Sequence, residues 1–223
     1  MDIAILLYEG VTALDAIGPY EVLARLPEAK IHFVAKDLAP KRNDLGWLTF
    51  LPHQTLSDIT RPDVILIPGA LSSFRSVMSD RKILEWLVAA HSSSQWTTSV
   101  CTGSLILGAA GLLRGLKATT HWMAMDYLKD LGAEPTAERV VQQGKIITSA
   151  GVAAGIDMAL HLTKEIAGEE FAQAAQLMIE YDPQPPFTSG SIKKASDPVI
   201  KIARKNLTRE AALQRKNQSI EVA

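Results

Sequence analysis

Apolar and polar positions fall in blocks along this chain, and the blocks predict an alternation of strands and helices. Ile3 to Tyr8 is an unbroken apolar run closed by Glu9-Gly10, the pattern of a strand buried on both faces. Lys30 to Lys36, Asp63 to Ile67 and Trp96 to Val100 read as further strands, and Pro68-Gly69 stops the second of these three. Asp15 to Leu26 carries Val22, Leu23 and Leu26 on one stripe with Pro19 near its start, and Ile83 to Ala90 is also helical in spacing. A helix from Thr102 or Gly103 to about Gly111 follows the Trp96 strand. Residues 41 to 58 are rich in turn formers around a short apolar piece, Trp47 to Leu51, which suggests a hairpin or flap.

The second half continues the pattern. Lys117 to Thr120 suggests a strand, and Trp122 to Leu131 a helix ending at Gly132. Arg139 to Gln142 and Lys145 to Ser149 flank a hairpin turn at Gln143-Gly144, and Val152 to Ile166 and Glu169 to Tyr181 are amphipathic helices. Strands alternating with helices through short links predict an α/β fold, a flavodoxin-like doubly wound sandwich around a mostly parallel sheet. Asp182 to Phe187, with three prolines, breaks the last of these helices into extended chain. Residues 1–187 thus form the α/β unit, and 188–223 a tail with a helix from Asp197 to about Gln214. From Lys193 onward the tail holds eight Lys and Arg against three Asp and Glu. That balance fits a solvated surface helix or an arm that clasps a partner.

Composition narrows the function classes. The hydrophobic fraction is 47%, the charged fraction 21% and the net charge −1, so nothing draws the chain toward nucleic acid or an anionic membrane. No stretch approaches the roughly 20 apolar residues of a membrane span, and the opening Met1-Asp2-Ile3 run does not resemble a signal peptide. A single cysteine cannot form an intrachain disulfide, so a reducing, cytoplasmic setting is expected. The five histidines show no paired metal-ligand spacing, and no cofactor is implied.

The candidate chemistry centres on that cysteine. Ser99-Val100-Cys101-Thr102-Gly103 joins a strand to a small-residue helix and resembles a nucleophile elbow, where the following N–H groups would favour a thiolate. The plain alternative is a small apolar residue filling a core. Ile67-Pro68-Gly69-Ala70 ends a neighbouring strand, so an N–H from Gly69 or Ala70 together with that of Thr102 would form an oxyanion hole. Asp15 and Glu21 are the acids that the first βα loop could bring to the same sheet edge, unless Asp15 serves as a helix N-cap and Glu21 as a surface residue. His121 stands at the end of the Lys117 segment, in a structural or pocket-lining role.

Asp15-x-x-Gly18-Pro19-x-Glu21, Ile67-Pro68-Gly69, the Cys101 elbow and Ala118-Thr119-Thr120-His121-Trp122 together resemble the ThiJ/PfpI superfamily, of the class I glutamine amidotransferase-like fold. Ala150 to Asp157 and Glu180 to Phe187 extend the likeness, which within the superfamily is to the isonitrile hydratases. The resemblance implies Cys101 as nucleophile, Asp15 as the acid facing it, Thr102 as a contributor of its N–H and hydroxyl, and Gly151, Val152 and Asp182 near the pocket. It also implies a homodimer, a small-molecule substrate and a cofactor-independent lyase that hydrates an isonitrile to an N-substituted formamide through a thioimidate on Cys101. Two departures stand out. Thr102 replaces the histidine that follows the cysteine in protease-type members, and Ala70 stands where a second glycine is common. The alternatives are a small-molecule or redox sensor, and a glyoxalase- or amidase-like enzyme. About 36 residues follow Phe187, fewer than the helix-turn-helix pair of the sensor relatives needs.

Overall fold

The computed structural model describes residues 1–221, with side chains to residue 216. Its first half runs β1 (Asp2–Leu6), α1 (Ala13–Leu23), β2 (Lys30–Ala35), β3 (Lys41–Arg42), β4 (Thr49–Phe50), β5 (Gln54–Thr55), β6 (Val64–Ile67), α2 (Phe74–Val77), α3 (Arg81–Ser93) and β7 (Trp96–Val100). There follow α4 (Gly103–Ala109), β8 (Lys117–Ala118), a 3₁₀ turn over Trp122–Ala124, α5 (Met125–Asp130), β9 (Glu134–Pro135), β10 (Val140–Gln143) and β11 (Ile146–Ser149). Three helices close the chain: α6 (Ala154–Ala167), α7 (Glu169–Met178) and α8 (Asp197–Glu221).

The central sheet has the order β10-β11-β7-β6-β1-β2-β5, parallel throughout except for the β10–β11 hairpin. Ile5 of β1 lies opposite Phe33 of β2 on one side and Leu66 of β6 on the other, which explains the solid apolar runs. Parallel strands covered on both faces have no polar side to present. Helices α1, α6 and α7 pack together as one group, and α2, α3 and α5 gather around α4 as the other. The doubly wound reading holds.

Several boundaries differ from the sequence expectation, each for a local reason. Helix α1 begins at Ala13, with Thr12 at its N-cap, so Asp15 lies inside the first turn and Pro19 in the interior. Close packing against α6 fixes that register. A Cβ on Gly155 would sit 3.0 Å from Pro19 Cγ, and one on Gly18 would sit 3.1 Å from Ile156. Lys117–Ala118 pairs with Glu134–Pro135 in a separate two-stranded ribbon and does not join the main sheet. Residues 41 to 50 do form a hairpin, with Trp47 92% exposed near its tip. The tail helix runs on to Glu221, and the last two tail residues, 222–223, lie outside the described residues. No helix among the described residues is long and apolar enough to cross a membrane.

Candidate active site

Cys101 joins β7 to α4 with φ +56°, one of three non-glycine residues with positive φ among the described residues. Such a conformation costs about 1–3 kcal/mol and persists only where its surroundings over-determine it. Here they do. The Cys101 N–H is shared between the carbonyls of Ser149 and Ala150 at 3.1 and 3.3 Å, and its carbonyl accepts from the Thr120 hydroxyl at 2.9 Å and the Ser104 hydroxyl at 3.2 Å. The plus-two glycine is needed for approach, not for φ: a Cβ on Gly103 would overlap the Ile67 carbonyl oxygen. The elbow is therefore real, and Cys101 projects into a cavity of about 470 Å³ while staying only 5% exposed.

Asp15 reaches the same point from α1 and is fully buried. Its Oδ2 accepts the Gly69 N–H at 2.9 Å, while Oδ1 finds no partner in the hydrogen-bond geometry of the described residues. Burial pushes this carboxyl up to about 8, the charge of Asp44 adds to the rise, and bonding to Gly69 and to the Cys101 side chain opposes it. The acid therefore holds its proton at neutral pH. With Oδ2 taken by Gly69, Oδ1 is the oxygen left to carry that proton.

The thiol departs from the expected thiolate. Burial pushes Cys101 well up, the Asp15 charge pushes in the same direction, and the N–H and hydroxyl of Thr102 counter only in part. A helix of seven residues buried at its start cannot offset the loss of water around sulfur. Burial thus opposes the charged form of both members of the pair.

The turn after β6 also has a different role from the one expected. The Gly69 N–H is taken by Asp15, and the Ala70 N–H donates to Thr102 Oγ1 at 2.9 Å while that hydroxyl donates back to the Ala70 carbonyl at 2.8 Å. Neither N–H is left for an oxyanion, so the turn is a mount for the acid and the threonine. A Cβ on Gly69 would lie 2.6 Å from the Thr102 nitrogen and 2.9 Å from Asp15 Oδ2, which is why glycine stands there. The Tyr8 hydroxyl, buried, donates to the Pro68 carbonyl at 2.8 Å and the Thr12 N–H to the Gly69 carbonyl at 2.9 Å, which lock the turn to the β1–α1 loop.

Of the remaining candidates, Gly151 lies between the sulfur and the His121 ring, and Val152 lines the same cavity. A Cβ on Gly151 would fall 3.3 Å from Cys101 Sγ and would overlap the His121 ring, so only glycine lets the two approach. His121 and Val152 line the cavity, and burial pulls the imidazole below its usual value, leaving it neutral. Asp182 does not reach the cavity. It is exposed and accepts from Gln184 at 3.3 Å, because Tyr181 just before it is tied by its hydroxyl to Asp157, itself paired with Arg139. Glu21 is exposed and pairs with Arg25 on the surface of α1.

Two contributors carried no sequence signal. Asp44, in the β3–β4 hairpin, lines the cavity, accepts the Thr12 hydroxyl at 2.6 Å, and is pushed up mainly by burial. Its Asn43-Asp44 dipeptide reads as a turn, and only the bridges of Val11 to Asn43 and to Ala70 bring it inward. The tail helix α8 also lines the cavity, through Leu207, Glu210 and Ala211 among others. Among the described residues, no group of three or more His, Cys, Asp or Glu could hold a metal.

Comparison with known proteins gives the family and agrees with the fold. Residues 1–165 match the DJ-1/PfpI family. The chain is 45% identical over 205 residues to the isonitrile hydratase of Pseudomonas putida, covering 92% of this chain and 89% of that one. A crystal structure of a ThiJ/PfpI family protein from Pseudomonas syringae superposes with a TM-score of 0.88 at 41% identity, over 96% of this chain and 90% of that one. Drosophila melanogaster DJ-1beta shares the fold, with a TM-score of 0.73 at 20% identity over 80% of this chain and 97% of that one. With the elbow, its acid and the sheet that carries them in place, the chain belongs to the DJ-1/PfpI family.

Proposed function

We propose that the protein is a cofactor-independent lyase that adds water to an isonitrile to give an N-substituted formamide, with Cys101 as nucleophile and Asp15 as proton carrier. The observation that carries this reading is the buried pair itself: a fully buried carboxyl, held by the Gly69 N–H at 2.9 Å with its second oxygen unpartnered among the described residues, beside a thiol at a strained elbow. An isonitrile carbon must gain a proton as the nucleophile arrives, and a protonated acid at that point supplies it. Asp15 gives its proton to the carbon and takes the thiol proton as sulfur adds, leaving the thioimidate Cys101–S–CH=N–R and a re-protonated acid. Water then adds to the same carbon, giving one proton to nitrogen through Asp15. Collapse of the adduct expels sulfur, which recovers its proton from the new hydroxyl, and R–NH–CHO leaves. The Thr102 N–H lies on the side of the sulfur and steadies its partial negative charge in both steps, while the Thr102 hydroxyl, tied to Ala70, holds that N–H in place.

The similarity to an isonitrile hydratase over nine-tenths of the chain supports the substrate class. The state of the thiol counts against peroxide sensing, which favours exposed, low-pKa thiolates. The test is intact-protein mass spectrometry with an alkyl isonitrile beside a formamide assay, run on wild type, Cys101→Ala and Asp15→Asn. Formamide from wild type alone is the expected result. No formamide and no adduct on Cys101 would overturn the reading.

A further inference from the structure

Resting on that reading, we propose that α8 is the specificity wall of the pocket, with Leu207 and Ala211 setting how large an isonitrile substituent can stand beside Cys101. The cavity extends from Cys101 to α8. Leu14, Phe74 and Met123 line it from the body of the fold, and Leu207 and Ala211 from α8. A volume of about 470 Å³ greatly exceeds what the two reacting atoms of an isonitrile require, and lies within the range of ~300–1,000 Å³ seen for whole small-ligand sites. The surplus is room for the substituent. Each methylene that enters apolar surroundings there strengthens binding by about fourfold.

Two contacts among the described residues help to hold α8 over this room. Gln214 is the one residue of α8 that is buried among those with described side chains, at 6% exposure. Its Oε1 accepts both the N–H and the hydroxyl of Ser72, at 3.0 and 2.5 Å, and its Nε2 donates to the Gly10 carbonyl at 3.1 Å. Ser72 follows the turn that mounts Asp15 and Thr102, and Gly10 lies in the loop that leads to Asp15. The glutamine therefore latches α8 to both loops that build the site. At the second contact, the Arg204 guanidinium lies 4.8 Å from the centre of the Trp122 ring, next to His121. Between these clamps, Leu207 and Ala211 set the distance from sulfur to wall and hence the size of substituent admitted.

The test uses the full chain as wild type, Ala211→Trp, Gln214→Ala and Lys205→Trp, the last adding equal bulk at an exposed position of α8 away from the cavity. Two readouts are taken: the rates of Cys101 alkylation by iodoacetamide and by N-benzyl iodoacetamide, and kcat/KM for methyl isonitrile and for a branched eight-carbon isonitrile. Ala211→Trp is expected to lower the bulky-to-small ratio about tenfold in both readouts, since overfilling a packed space costs that order of free energy. Gln214→Ala is expected to raise the bulky alkylation rate and narrow the preference between the two isonitriles. Lys205→Trp is expected to match wild type. Unchanged alkylation ratios in both Ala211→Trp and Gln214→Ala would overturn the wall. Shifted alkylation ratios with no formamide from wild type would uphold the wall and overturn the hydratase reading instead.

Discussion

The elbow at Cys101 and the helix α8 line the same cavity, but they are held by very different means. Around the elbow the constraints are dense, and each hydrogen bond that pins it has a backbone group at one end at least. Cys101 is pinned through its N–H and its carbonyl, Gly69, Gly103 and Gly151 stand where any Cβ would strike a neighbour, and the acid hangs from a backbone N–H. Helix α8 is mostly exposed, and its described ties include the Gln214 side chain and the Arg204–Trp122 cation–π contact. The lesson concerns tolerance. Geometry required to better than an ångström is built from groups with no freedom to repack, whereas the part that meets a variable substituent is attached through replaceable side chains.

That contrast can be broken from the rigid side first. Gly103→Ala forces a methyl into the Ile67 carbonyl and should destabilise the fold by about 4 kcal/mol or more, read as loss of folded protein or a large drop in urea midpoint. Next comes Asp15→Asn, expected to lower kcat by about 10²–10⁴-fold in the formamide assay while keeping the Gly69 hydrogen bond. The same change should stabilise the protein. A carboxyl with a folded value near 8 against 3.8 unfolded makes the native state bind the extra proton, so wild-type stability falls as pH rises from about 4 to about 8 and levels off above. Asn carries no such penalty, so the gain over wild type should be greater at pH 8 than at pH 5 in denaturant titrations. An Asp15→Asn protein no more stable than wild type at pH 8 would mean that the acid is ionised in the native state.

Activity has its own dependence on that proton. If Asp15 must donate, kcat/KM holds below about pH 8 and falls roughly tenfold per unit above it. A profile that rises through pH 8 would assign the working state to a thiolate beside a carboxylate. Gly151→Ala introduces a methyl against His121 and near sulfur, and should cost about tenfold in Cys101 alkylation rate, with little change in unfolding midpoint because the neighbour is a side chain. The smallest expected effect belongs to Asp44→Asn. Its charge helps raise Asp15, so its removal should move the alkaline limb of the pH profile to lower pH without abolishing turnover.

How far the sequence reached follows the same division. The strands were legible because β1 and β6, buried on both faces, leave unbroken apolar runs, while β7 shows instead as a short β-branched run, Thr97-Thr98-Ser99-Val100, leading into the elbow. The elbow was legible because close backbone approach requires glycine at set positions, and Gly69 and Gly103 stand in sequence beside Ala70 and Thr102. The occupancy of the turn's N–H groups was not legible, since Asp15 lies 54 residues from Gly69 in the chain. Nor was the protonation of the pair, which depends on how completely water is excluded around it. Asp182 was misplaced because its neighbour Tyr181 is tied to Asp157, a contact between residues 24 apart that no local pattern encodes.

By itself, then, the sequence determined what local sterics and periodicity control: the alternating fold, the strained cysteine between β7 and α4, and the presence of an acid on the first helix. Only the tertiary structure decided which donors are already taken, that burial opposes the charged forms of both Asp15 and Cys101, and that α8 of the basic tail lines the cavity. The physical reason is range. Backbone conformation and apolar spacing are set by residues within a turn or a strand, whereas desolvation and hydrogen-bond competition depend on groups brought together from the whole chain, as Gln214 is brought to Gly10 across 204 residues.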